Sequence, residues 1–142
     1  MSATIIQLVE AIVTELNHGQ FGQAFTAQRH YQPIFELPDM SQLHVSVVPL
    51  ALSSQQVSRS KAANQYQIDI GIQQKGDLSQ AWLDGLMALV EEIADFLQAR
   101  PLAAFPQARC LDVTNAPVYA LEHLEELRQF TSVLTATYQV EK

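Results

Sequence analysis

The segment from Tyr66 to Gln98 constrains the fold of this chain more than any other. In its first part, four apolar residues alternate with polar or small ones: Tyr66, Ile68, Ile70 and Ile72. This period of two predicts a half-buried strand over Tyr66–Gln73. After a turn at 75–77, apolar residues recur at three- and four-residue steps and predict a helix over Leu78–Gln98. A strand, a tight turn and a helix make an α/β unit that buries one face of a sheet.

The rest of the chain predicts one more long helix and several strands. An apolar stripe over Ala3–Asn17 predicts the first helix, and Gly19 suits the left-handed position that follows a helix. Asp77 and Gln80 have the spacing of a capping box for the second helix. The other predicted elements are strands at 21–31, 44–50, 108–114 and 128–140, a weaker extended segment at 52–60, a loop at 35–40, a turn at 61–64, and a short helix or ordered loop at 119–127.

These elements together predict the fold class. We expect one α+β domain over residues 1–142, with a mixed and mostly antiparallel sheet of about four to six strands packed against two main helices. Asp84, Glu91, Glu92 and Asp95 exclude the long helix as a bilayer span, so we expect no membrane association. No basic segment precedes the first apolar run, so we expect no signal peptide.

The formal net charge of −7 disfavours binding to nucleic acid, because the phosphate backbone is also negatively charged. An acidic protein can still stand beside DNA, because repulsion lets the duplex slide without sticking. Arg29, Arg59 and Lys61 form a small basic patch if their strands are neighbours, and ordinary solubilising charge is the favoured alternative.

Three groups of side chains are candidates for chemistry. His123 and Glu126 lie one helical turn apart and could share a cation, but zinc needs three or four ligands, so a solvated acidic helix face is favoured. Glu91 and Asp95 are neighbours on one helix face, which surface helices commonly present. Cys110 is the only cysteine, and a semi-buried thiol is its expected state. We therefore assign no catalytic, cofactor-binding or metal residue and expect no enzyme activity.

Four segments of the sequence resemble small proteins encoded in the structural gene clusters of tailed phages and prophages. They are 29–37 (RHYQPIFEL), 45–50 (VSVVPL), 66–75 (YQIDIGIQQK) and 121–138 (LEHLEELRQFTSVLTATY). Within that group the chain is most similar in architecture to tail terminator and head–tail joining proteins. That family has a mixed α/β fold and forms a ring, typically hexameric, on the head-proximal end of the tail tube.

The resemblance implies a virion assembly protein. The implied partners are further copies of the chain, a tail tube protein, a neck or head-completion protein, and DNA that passes through the lumen without specific binding. The implied location is the host cytoplasm during assembly and then the tail or neck of the virion. A neck connector or minor tail protein is the alternative inside the virion, and a small ligand-binding or metal-binding domain is the alternative outside it.

The segment Leu52–Asn64 is the predicted contact region. Its polar side chains suit either a projecting hairpin that reaches a neighbour or the tube, or a plain surface hairpin, and the sequence favours neither. The residues predicted to lie in the interface are Gln55, Gln56, Ser58, Arg59, Lys61 and Asn64.

Overall fold

A five-stranded mixed sheet frames the residues that this computed structural model describes, which are 3–31, 42–56, 58–59, 62–115 and 118–141. In chain order the strands are β1 (Thr26–Arg29), β2 (His44–Gln56), β3 (Ala62–Lys75), β4 (Arg109–Thr114) and β5 (Gln129–Glu141). Their spatial order is β1-β2-β3-β5-β4, and β1 with β2 is the parallel pair. The helices are α1 (Thr4–His18), α2 (Gln80–Ala99) and α3 (Leu121–Leu127). The predicted α+β class with a mostly antiparallel sheet is confirmed.

The core lies between one face of this sheet and the two long helices. The alternation that predicted β3 is confirmed, because its four apolar residues are almost completely buried. The same holds for alternate positions of β5, where Phe130, Leu134, Ala136, Tyr138 and Val140 are buried. α1 packs over β1 and β2, while α2 packs over β4 and β5. Each helix turns one apolar stripe toward the sheet, as the spacing of the sequence predicts.

The predicted strand at 21–31 is shorter than expected, because only Thr26–Arg29 pairs with β2. Before it, Phe21 packs against Phe25 and against Phe96 of α2, with ring centroids 5.2 and 5.1 Å apart. Asn17 at the end of α1 then accepts from the Ala27 N–H at 2.7 Å and donates to the Ala27 carbonyl at 3.2 Å. The aromatic packing holds this stretch against α2, and pairing starts only where β1 reaches β2.

The predicted strand at 44–50 and the weaker segment at 52–60 are largely one strand. β2 runs on to Gln56 after a register shift between Pro49 and Ala51. The predicted turn at 61–64 is also wrong for Ala62–Asn64, which begins β3, because β2 and β5 both pair with that segment. Pro49 is tolerated within β2 because the described part of β1 pairs no further along than Val47. The predicted loop at 35–40 lies outside the described residues.

The start of α2 also differs from the prediction. Ser79 is the N-cap, and its hydroxyl accepts from the Trp82 N–H at 3.2 Å. Asp77 instead accepts from the Ser79 N–H at 3.0 Å, so it orders the turn before the helix. The segment at 119–127, left open between helix and loop, forms α3. Of the helices in the described residues, none combines the length and apolar character needed to cross a bilayer.

Candidate assembly surfaces

Five of the six residues predicted to lie in an interface fall in the described part of the β2–β3 hairpin. Gln56, Ser58 and Arg59 are exposed near its tip. Gln55 lies in β2 opposite Ala63, and Lys61 falls outside the described residues. Asn64 is half-buried in β3, where its Nδ2 donates to the Tyr66 hydroxyl at 3.1 Å. The hairpin tip is thus polar and accessible, whereas Asn64 has a structural contact inside the strand; their roles in an interface stay predictions.

β2 exposes two leucines beyond the part that pairs with β1. Leu50 and Leu52 are 54% and 59% exposed, although both are large aliphatic side chains. β1 pairs with β2 only as far as Val47, so in the described residues the rest of β2 pairs with β3 alone. We call the segment Leu50–Gln56 the hairpin flank. An open strand edge with exposed leucines is a surface that other chains pair with or cover.

A second apolar surface lies at the other end of the sheet, between α2 and α3. It is a groove of about 320 Å³, lined by Leu78, Leu83, Met87, Tyr119, Leu124 and Phe130, together with Gln80 and Asp84. Tyr119 is 41% exposed, and its neighbours Val118 and Leu121 are also exposed. We call this surface the α2–α3 groove. It is larger than packing defects in protein interiors, which seldom exceed one water molecule.

Charge is distributed unevenly between these two surfaces. The sequence has no Asp or Glu between Asp39 and Asp69, although it has 15 of them in total, and this interval includes Arg59 and Lys61. At the groove, five acidic side chains are exposed on α3, at the start of α2 and just before it: Asp77, Asp84, Glu122, Glu125 and Glu126. The exposed cations near that end are Lys75 and Arg128. The sequence of the hairpin near its tip is therefore basic, and the groove end is acidic.

The candidate metal pair is not assembled as a site. His123 is half-buried in α3, and its Nδ1 is 2.9 Å from the Thr131 hydroxyl of β5. Glu126 is exposed on the same helix. In the described part of the chain, no three His, Cys, Asp or Glu side chains come together as metal ligands. The contact with Thr131 gives His123 a structural role in docking α3 onto the sheet.

The carboxylates of α2 include one with a specific contact. Glu92 accepts from the Gly22 N–H at 3.0 Å and so fixes the segment between α1 and β1 against α2. Glu91 and Asp95 are exposed on the helix. All three carboxylates belong to exposed residues of α2, which is the ordinary state of acidic side chains on a surface helix.

Cys110 is poorly suited to nucleophilic chemistry. Its thiol is half-buried in β4, and its Sγ lies 3.7 Å from the Asp112 carbonyl oxygen. Burial raises the pKa of this thiol; the neighbouring Tyr138 hydroxyl lowers it by less, and the Asp112 carboxylate adds to the rise. The thiolate is the reactive form, so both effects keep Cys110 inert at neutral pH.

Arg29 and Arg59 do not come together in the predicted basic patch, and its third member, Lys61, lies outside the described residues. Arg29 lies in β1 opposite Val47, and its Nε is 3.1 Å from a carboxylate oxygen of Glu10. Arg59 lies at the tip of the hairpin, beyond Gln56. Gln56 lies nine residue steps along β2 from Val47, which is roughly 30 Å of strand. The two arginines therefore act at different places on the surface.

The groove was not predicted from the sequence. Leu83 and Met87 are four residues apart on α2 and lie beside the buried stripe of that helix, which includes Leu86 and Val90. An apolar stripe wider than one helix face is the signal that could have revealed it. Tyr119 lies in the connection before α3, where periodicity gives no information.

The described elements form an α+β fold with two exposed apolar surfaces, and His123, Glu92 and Cys110 have structural contacts. No protein-family model matches the chain, and no curated protein matches it. One similar solved structure is the sheath/tube terminator of PVC, an extracellular contractile injection system, in the extended state. The alignment has 16% identity and a TM-score of 0.41, and it covers all of this chain and 58% of the other. Similarity at this level supports no inference about this chain.

Proposed function

We propose that this chain is a tail terminator-like assembly subunit, which forms a ring, hexameric in the family it resembles, on the end of a tail tube. The observation behind the proposal is a contrast between two groups of residues. His123, Glu92 and Cys110 have structural contacts, while large apolar side chains are exposed at the open flank of β2 and beside α3. Exposed apolar patches of this kind mark protein–protein contacts.

The sequence resemblance gives the kind of assembly. In this proposal the chain is one domain without enzyme activity. The ring stops tube growth and offers a surface to a neck or head-completion protein. The polar hairpin tip, with Gln55, Gln56, Ser58, Arg59, Lys61 and Asn64, contacts a neighbour or the tail tube protein. A net charge of −7 lets DNA pass through the lumen without being held. The protein acts in the host cytoplasm during assembly and stays in the tail or neck.

Electron microscopy of tails assembled without the chain tests the function. A terminator predicts tubes of uncontrolled, excessive length, because nothing stops polymerisation. Tubes of normal length that lack heads would instead identify a neck connector, and normal complete particles would contradict both roles. Resupply of the wild-type chain restores the normal length if the proposal is right.

A charge reversal tests the hairpin within the same experiment. Arg59→Glu changes an exposed cation near the hairpin tip, so we expect it to restore tube length poorly. Arg109→Glu is the matched control, since it makes the same change at an exposed arginine in the edge strand β4. If both variants restored tube length equally, the hairpin tip would not take part in the proposed contact.

A further inference from the structure

The two apolar surfaces of this chain cannot meet within one molecule. Leu52 pairs with Tyr66, which pairs with Tyr138 of β5, whereas Phe130 at the start of β5 lines the α2–α3 groove. Tyr138 lies eight residue steps along β5 from Phe130, which is about 27 Å of extended strand. The hairpin flank and the groove therefore lie toward opposite ends of the sheet.

We infer that the hairpin flank of one copy docks into the α2–α3 groove of the next copy. Of the large apolar side chains that are exposed in the described residues, Leu50 and Leu52 lie on the flank, and Val118, Tyr119 and Leu121 lie beside the groove. Docking removes both sets from water at once. This inference rests on the proposed ring and adds the two surfaces that join its subunits.

Charge identifies a second copy as the occupant of the groove. The exposed acids of the groove end (Asp77, Asp84, Glu122, Glu125 and Glu126) require a basic or neutral partner. The hairpin flank and the hairpin tip lie within the interval between Asp39 and Asp69, which has no acidic residue in the sequence, and Arg59 is exposed near the tip. In a chain with a net charge of −7, this hairpin is the region that such an acidic surface attracts.

The inferred contact is of the head-to-tail type that a ring requires. One copy contributes the flank and the other contributes the groove, so the interface is heterologous. Each end of a growing row of subunits keeps one free flank or one free groove until the row closes into a ring. A two-fold dimer would need the same surface on both partners, which this arrangement does not use.

Sedimentation velocity of mixed variants tests the inference. Leu52→Glu places a carboxylate on the flank, and Tyr119→Glu places one in the groove; both positions are exposed, so folding should be preserved. We expect the wild-type chain to self-associate, and each variant alone to lose at least about tenfold in association constant. An equimolar mixture of the two should form dimers and nothing larger, because only one intact flank and one intact groove remain to meet.

Leu111→Glu is the matched control. Leu111 is an exposed leucine at 38%, but it lies in β4, outside both surfaces, so this variant should associate like the wild type. Association should also weaken as salt is raised, because it depends on opposite charges. A wild type that stays monomeric at every concentration, a mixture that fails to dimerise, or a Leu111→Glu variant that loses association would each overturn the inference.

Disulfide trapping gives a second measurement, which does not depend on introducing a glutamate into either surface. With Cys110→Ser as background, Leu52→Cys and Tyr119→Cys in separate chains should cross-link on oxidation, while Leu111→Cys with Tyr119→Cys should not. A chain that controls tube length but shows neither dimers nor cross-links would leave the proposed function standing and refute this interface. Dimers and cross-links in a chain that leaves tube length unchanged would refute the proposed function alone.

Discussion

Tyr66 and Tyr138 are paired across β3 and β5, and both are nearly completely buried, but only one has a hydrogen bond for its hydroxyl. The Tyr66 hydroxyl accepts from Asn64 at 3.1 Å. The Tyr138 hydroxyl lies near Cys110 without a hydrogen-bond partner in the described residues. A buried polar group without a partner keeps its desolvation penalty, so the two tyrosines differ in what they contribute to stability.

This contrast predicts opposite effects of the same substitution. Tyr138→Phe should raise the free energy of unfolding by about 1 kcal/mol, because it removes an unpaired hydroxyl. Tyr66→Phe should lower it by about 1 kcal/mol, because the Asn64 amide loses its acceptor. Urea denaturation of both variants beside the wild type is the measurement, and a destabilising Tyr138→Phe would contradict the unpaired state of that hydroxyl.

The same region predicts instability at alkaline pH. Burial raises the pKa of the Tyr138 hydroxyl far above its ordinary value and also raises the pKa of the Cys110 thiol. In the unfolded chain these groups ionise near about 10 and 8.5. The unfolded state therefore releases protons first, so the free energy of unfolding is fully retained below about pH 8.5 and falls as pH rises beyond it.

Two variants separate the contributions. Cys110→Ala should flatten the decline that begins near about pH 8.5, and Tyr138→Phe should flatten the steeper part above about pH 10. Urea titrations at a series of pH values from neutral to alkaline give the free energy of unfolding as a function of pH. Subtracting the wild-type curve removes the contribution of the titrating groups that all three proteins share. Parallel curves for all three proteins would contradict the raised pKa values.

The sequence predicts the central elements because burial there follows a simple period. β3 and β5 each bury alternate residues against the helices, and α1 and α2 each bury one stripe. These periodicities are set by the geometry of the helix and the strand, so they can be recognised in the sequence without knowing which element packs against them. The fold class and most helix limits follow from them.

The long hairpin and the groove depend on tertiary contacts and could not be read in this way. The polar segment from Ser53 to Gln56 is a strand because β3 pairs with it, not because of its own pattern. Gly19 was predicted in the left-handed region, but its φ is −74°; a side chain there would collide with Phe21 and Phe96. Residues of α2 and α3 that are far apart in the sequence line the groove together, and no local sequence pattern reveals that they are close in space.

Two glycines offer a sharp test of packing near the turn into α2. A β-carbon at Gly76 would lie inside van der Waals contact with the Trp82 ring, whereas one at Gly71 would meet nothing within 4 Å. Gly76→Ala should therefore destabilise by about 1–3 kcal/mol through overpacking. Gly71→Ala should be neutral or stabilise by up to about 1 kcal/mol, because alanine restricts the unfolded chain.

Fluorescence gives a direct readout for this pair. Trp82 is the only tryptophan, so its emission reports the ring displaced by Gly76→Ala. Gly71→Ala should leave the emission spectrum unchanged, since Gly71 lies within β3 and its added methyl group meets open space. An unchanged spectrum and unchanged stability in Gly76→Ala would show that the Trp82 ring does not pack against this turn.

Arg128 holds a conformation that favours glycine. It ends α3 with φ 53° and ψ 41°, and its N–H donates to the His123 carbonyl. A residue with a β-carbon is strained in this left-handed region, so Arg128→Gly should raise the free energy of unfolding by about 1 kcal/mol. Arg128→Ala is the matched control, because it also removes the exposed side chain and its charge but keeps the β-carbon. Urea denaturation should therefore find the glycine variant more stable than the alanine variant. Equal stability of the two variants would mean that the left-handed conformation at position 128 costs no free energy in the folded protein.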